Sequence, residues 1–139
     1  ALHLAKDAGD VIGIEYVEQA VRNATDNAKL NDLDNCYFVA GDAAEQLVKQ
    51  SSRLKNLKLA TLNPPRKGCA EELLQVLCDI APQQIIYVSC DPDSLARDLR
   101  LLADADYQIK QVQPVDMFPQ TAHVETVVKL ELRQGGDAE

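Results

Sequence analysis

Short apolar runs alternate along the chain with stretches whose apolar positions recur every three or four residues. Val11-Ile12-Gly13-Ile14-Glu15 is such a run, ends in an acid, and predicts a buried strand. Over residues 16–31, Val17, Ala20, Val21, Ala24 and Ala28 share one helical face, and the turn cluster Asn31-Asp32-Leu33-Asp34-Asn35 follows. Cys36-Tyr37-Phe38-Val39 predicts a second strand, residues 43–50 a short helix, and Leu57 to Leu62 a third strand. Leu73, Leu74, Val76, Leu77 and Ile80 mark a helix, and Gln84 to Ser89 a fourth strand. Leu95, Leu99, Leu101 and Leu102 mark the next helix, with Asp93 or Ser94 as its cap. Two last strands are expected over 107–113 and 124–132, joined by an ordered loop from Pro114 to His123. Ala1 to Lys6 reads as the end of a helix, and Gln134 to Glu139 as a disordered tail.

Strands alternating with helices predict an α/β fold with a doubly wound, mostly parallel sheet. The final two strands lack an intervening helix and are expected to pair as an antiparallel hairpin at one edge. The 139 residues suit one domain, taken as 1–133, with the tail outside it. A doubly wound sheet normally opens with a strand and a Gly-rich turn before such a first helix. Neither is present, so the fold is expected to be truncated at its N-terminal side.

Composition narrows the function. The net charge of −8 is the wrong sign for a segment that grips nucleic acid by itself, since phosphate contacts need Lys and Arg. It leaves room for a pocket that handles one base while another domain holds the backbone. No apolar run is long enough to cross a membrane. Cys36, Cys69, Cys78 and Cys90 are widely spaced and only His3 and His123 accompany them, which argues against a metal site. Reduced thiols in a cytoplasmic protein are the expectation. Cys36, Cys69 and Cys78 fall within strand or helix patterns and read as packing residues.

In open α/β sheets ligands bind beyond the carboxyl ends of the strands. Glu15, Asp42, Asn63 and Cys90 fall at such ends, and Glu125 begins a strand that reaches the same rim if it runs antiparallel. Glu15 can accept both ribose hydroxyls of a nucleoside cofactor, or cap the helix after it. Asp42 can accept from an adenine amino group, or serve as a plain N-cap. In Asn63-Pro64-Pro65-Arg66 the prolines stiffen the backbone, while Asn63 offers a donor and an acceptor to a planar group; a rigid loop is the plainer reading. Cys90 sits where a strand gives way to a helix N-terminus, a place that raises thiol reactivity. A carboxylate entering a buried strand, as Glu125 does, is costly unless paired or functional, and His123 nearby can orient it or be structural.

Three segments in order resemble the RNA (uracil-5-)-methyltransferases, the group that modifies tRNA and 23S ribosomal RNA: Asn63-Pro64-Pro65-Arg66-Lys67-Gly68, Val88-Ser89-Cys90-Asp91-Pro92, and Asp116 to Glu125. The similarity runs from about residue 10 to 132. It implies a Rossmann-like methyltransferase fold, S-adenosylmethionine as cofactor, and a uridine of RNA as substrate, in 23S ribosomal RNA first and tRNA second. It also implies Cys90 as the nucleophile at C6 of uracil, Glu125 as the general base for the C5 proton, and Glu15, Asp42 and Asn63 as cofactor contacts. Arg66 is the candidate for an RNA phosphate. Two positions depart from the commoner family form: Asn63, where Asp is usual, and Asp91, where Asn is usual. An acid beside Cys90 disfavours its thiolate. Two other readings stay open. One is a non-catalytic module of the same fold. The other is an amino-methyltransferase, in which Asn-Pro-Pro is normally followed by an aromatic residue rather than Arg66.

Overall fold

The computed structural model describes residues 1–117, 119–121 and 124–133, arranged as two compact units, Ala1–Gln50 and Ser51–Glu139. The expected tail over 134–139 and His123 lie outside the described residues.

In the first unit a short helix α1 (Leu2–Ala5) precedes strand β1 (Val11–Glu15), helix α2 (Glu18–Leu30), strand β2 (Cys36–Ala40) and helix α3 (Ala43–Gln50). The apolar runs became the strands and the 3–4 spacing became α2, as predicted. β1 and β2 pair in parallel, with Val11 opposite Cys36 and Glu15 opposite Ala40. Gly13 permits this packing: a Cβ there would lie 2.6 Å from the Phe38 ring. The Asn35 side chain reaches the carbonyls of Ala5, Ala8 and Gly9 at 2.8–3.1 Å, tying the end of α1 to the start of β2.

The second unit contains strand β3 (Leu59–Leu62), helix α4 (Glu71–Ile80), strand β4 (Gln84–Ser89), helix α5 (Pro92–Asp104), and strands β5 (Tyr107–Val115) and β6 (Glu125–Leu132). Its sheet has the order β3-β4-β6-β5. β3 and β4 are parallel, whereas β6 runs antiparallel to both β4 and β5. The expected antiparallel hairpin therefore exists, with β5 as the edge strand. β4 alternates strictly: Ile85, Tyr87 and Ser89 are buried, and their neighbours on β6, Leu130 and Val128, share that face. Leu74 and Leu77 of α4 and Leu95 and Leu102 of α5 are also buried. Tyr107 completes this core and donates its phenol proton to the Pro82 carbonyl at 2.8 Å.

Apart from shifts of one or two residues at element ends, four details differ from the sequence reading. The third strand starts at Leu59, because Leu57 is drawn into a turn by its bond to the Leu54 carbonyl and Asn56 takes a positive φ of 65°. β5 continues through Pro114 to Val115 where a loop was expected. On an edge strand the missing proline N–H costs no ladder bond on the open side. Cys69 lies in the loop before α4 rather than inside an element, yet it is buried as a packing residue should be. The cap of α5 is Asp91, not Asp93 or Ser94: Asp91 is extended at φ −139°, its carboxylate accepts from Ser94 N, and Pro92 opens the helix.

Candidate active site

Cys90 occupies the turn between β4 and α5 and is half-buried. Its neighbours hold it on both sides. Ser89 Oγ donates to the Asp91 carbonyl at 2.8 Å and accepts from Asp91 N at 3.1 Å, and Asp91 Oδ1 accepts from Ser94 N at 2.9 Å. The acid beside Cys90 is thus engaged as a helix cap. The bond from the Ser94 backbone holds the Asp91 carboxyl below the ordinary carboxylate range, and the positive charge of Arg66 contributes in the same direction.

The sheet brings two further candidates to the same edge. Ser89 pairs with Thr126, so carrying the antiparallel register one residue on sets Cys90 level with Glu125. Glu125 opens β6 and is half-buried. On the other side of β4, Leu62 pairs with Tyr87, and Asn63 leaves β3 at the next position. β4 lies between β3 and β6, so Cys90 emerges between the strand ends that carry Asn63 and Glu125. Neighbouring strands are about 4.8 Å apart, so the ends of β3 and β6 flank that of β4 at about that spacing on either side.

Glu15 and Asp42 belong to the first unit. They sit at one end of its parallel pair, where Gly41 N donates to the Glu15 carbonyl at 3.0 Å. Both carboxylates are exposed; Asp42 makes the N-cap bond that its plainer reading foresaw, whereas Glu15 bonds ahead of α2, whose cap position Val17 has no side-chain cap bond. Glu15 Oε1 accepts from Val17 N at 3.0 Å, and Asp42 Oδ1 accepts from Glu45 N at 3.1 Å. Between them Gly41 takes φ +139°, and a Cβ there would meet the Gln46 side chain at 2.8 Å.

The sequence reading passed over Asp98. This carboxylate is fully buried on α5 and accepts two hydrogen bonds on each oxygen. Oδ2 receives Tyr87 Oη at 2.5 Å and Cys69 N at 2.7 Å. Oδ1 receives Arg97 Nε at 2.9 Å and Nη2 at 2.6 Å. Arg97 Nη2 also reaches the carbonyls of Lys67 and Cys69 at 3.0 and 3.1 Å. Burial raises the Tyr87 phenol pKa, and its bond to Asp98 adds to the rise; burial likewise pushes the Cys69 thiol up. The signal for Asp98 was in the sequence: it lies three residues after Leu95 and four before Leu102, a charge on the apolar stripe of α5.

A shallow hollow of about 190 Å³ on α4 and α5, lined by Leu74, Cys78 and Leu101 among others, includes none of the predicted site residues. Among the described residues no cluster of His, Cys, Asp or Glu could hold a metal ion, and no helix is long and apolar enough to cross a membrane.

Known proteins resemble the chain over nearly its whole length. An uncharacterized RNA methyltransferase of Geobacter sulfurreducens is 52% identical over 130 residues, 94% of this chain and 26% of that protein. A namesake in Enterococcus faecalis is 46% identical over 93% of this chain and 28% of its own length. The chain thus spans about a quarter of the relatives it matches. Among solved structures, the Pyrococcus abyssi tRNA (uracil-54, C5)-methyltransferase in complex with S-adenosyl-L-homocysteine superposes with a TM-score of 0.77 at 34% identity, covering 94% of this chain and 31% of that one. An rRNA methylase from Streptococcus thermophilus superposes with a TM-score of 0.75 at 14% identity, covering 96% of this chain and 79% of that one, and so shares the Rossmann-like methyltransferase fold. The sequence profile described as tRNA (Uracil-5-)-methyltransferase matches residues 1–133, and the chain belongs to that family.

Proposed function

We propose that the protein carrying this chain methylates C5 of a uracil in RNA, with Cys90 as nucleophile and Glu125 as general base. The observation that supports this reading is the register of β4 and β6, whose last pair, Ser89 with Thr126, immediately adjoins Cys90 and Glu125. The donor chemistry fits S-adenosylmethionine. Glu15 is an exposed carboxylate at a strand end, suited to ribose hydroxyls, Asp42 to an adenine amino group, and Asn63 to either donor or acceptor. That cofactor supplies an electrophilic methyl group when bound.

C5 of uracil is a weak nucleophile. Addition of the Cys90 thiolate to C6 pushes electron density through the ring onto C5 and O4, giving an enolate. Once C5 carries its methyl group it still bears the original hydrogen. Glu125 accepts that proton, the C5–C6 double bond re-forms, and the Cys90 sulfur leaves. The target base leaves its stack to reach such an edge. Arg66 is exposed on the loop and is our candidate for an RNA phosphate. We favour 23S ribosomal RNA over tRNA as the substrate and the cytoplasm as the location.

RNA containing 5-fluorouridine tests the mechanism, because fluorine cannot leave as a proton does. In the presence of S-adenosylmethionine the protein should become covalently attached to such RNA, and Cys90→Ala should not. Glu125→Gln should accumulate the same attachment on ordinary uridine RNA, where the wild type turns over. Equal trapping by Cys90→Ala would refute the proposed nucleophile. A protein that binds neither S-adenosylhomocysteine by calorimetry nor RNA would instead be a non-catalytic relative.

A further inference from the structure

The loop that carries Asn63 and Arg66 is fastened at both ends to the element pair that carries Cys90. At its start, Leu62 pairs with Tyr87 on β4. At its finish, Lys67 and Cys69 are held by Arg97 and Asp98 on α5. Tyr87 joins the two fastenings, since its backbone is opposite Leu62 and its hydroxyl donates to Asp98. Pro64 and Pro65 stiffen the stretch between, so a displacement at one end is passed along rather than absorbed. Gly68 makes the close approach feasible. It takes φ +78°, and a Cβ there would lie 2.5 Å from Arg97 Nη2 and 2.7 Å from Asp98 Oδ2.

Every acceptor position of the Asp98 carboxylate is used, and its partners come from β4, from α5 and from the loop. A fully satisfied buried carboxylate defines one geometry and penalises others, because a shifted loop leaves a charge or a donor unpaired inside the core. A purely structural clamp has no need to end on the loop that carries the site. We propose that Asp98 is a positioning residue, which through Cys69 and Arg97 sets the place of Asn63 relative to Cys90. This rests on the reading of Cys90 as nucleophile and Asn63 as a cofactor contact. Asp98 touches neither substrate nor cofactor, so its effect belongs to how well the loop meets the methyl donor.

The test uses the whole protein with Asp98→Asn, Tyr87→Phe and Arg97→Gln, each checked for folding by circular dichroism. An amide at position 98 cannot accept on both sides, so Arg97 or the Tyr87–Cys69 pair loses its acceptor. The KM for S-adenosylmethionine should rise, and calorimetric affinity for S-adenosylhomocysteine should fall, by on the order of 10- to 100-fold. The rate at which iodoacetamide alkylates Cys90 should stay unchanged, because Cys90 is held by Ser89 and Asp91 instead. A fall in kcat that only tracks the folded fraction, with KM and affinity unmoved, would make Asp98 merely structural and overturn the proposal. If Asp98→Asn does not fold, Tyr87→Phe and Arg97→Gln decide: each removes part of the network and should give smaller shifts in the same direction, and no shift in either overturns it. Cys90→Ala separates this idea from the reaction itself. Methylation surviving in that variant sinks the reaction, whereas an inactive Cys90→Ala beside an unmoved KM in Asp98→Asn sinks only the positioning role.

Discussion

Gly68 carries a constraint that no other residue type meets. Its positive φ and its contacts with Arg97 and Asp98 make Gly68→Ala both strained and overcrowded, and stability should fall by more than about 1 kcal/mol in urea denaturation. Tyr87 and Tyr107 supply a test of sign. Burial raises both phenol pKa values in the folded state, while an unfolded tyrosine ionises near pH 10. Below that pH neither state is charged and the contribution is complete. As pH climbs past about 10, only the unfolded chain releases these protons, so stability is lost toward the raised folded values. Urea midpoints measured between about pH 8 and 11 should fall less steeply in Tyr107→Phe than in the wild type. That substitution should also lower stability at neutral pH by about 1 kcal/mol, for the lost bond to the Pro82 carbonyl.

Helix α5 shows what its own start contributes. Asp91 makes the cap, so Asp91→Ala should lower the urea midpoint while Asp91→Asn, which also accepts from Ser94 N, should be nearly neutral. The carboxyl of Asp91 is held low in the folded state, so its charge-dependent contribution is present above the ordinary carboxylate pKa and is lost as pH falls through the depressed value. Acid titration of the melting temperature in wild type and Asp91→Asn should separate at low pH only. The strands were legible in the sequence because apolar runs such as Gln84 to Ser89 have no helical alternative at that length. The site edge was legible because chemistry-bearing residues stand at run ends. Asp98 was legible only in part: its place on the apolar stripe of α5 marks it, but the donors that hold it, Tyr87 and Cys69, lie 11 and 29 positions away. The true cap of α5 was missed for a smaller reason: Asp91 and Asp93 are equally good capping residues, and only the position of Pro92 at the first helical turn separates them.

At the scale of the chain, burial is unevenly shared. Of the buried apolar side chains among the described residues, only Ala5 and Ala28 lie in the first unit, and the rest belong to the second. Amide exchange should therefore be slowest in β4 and β6, flanked by Tyr87, Val128 and Leu130, and markedly faster in β1 and β2, read by hydrogen-exchange mass spectrometry. Equal protection in the two units would contradict that distribution. The charge of −8 is the wrong sign for gripping RNA through phosphate contacts. β5 adds a property of another kind. It is a nine-residue strand with little cover, an inviting template for a neighbour's backbone. A bulge between Ile109 and Gln111 breaks its repeat near one end, Lys110 puts a charge there, and Pro114 removes a donor near the other. What remains between the interruptions is too short for lasting edge-to-edge pairing between copies, so concentrated solutions should resist filament growth that a straightened, proline-free β5 would invite.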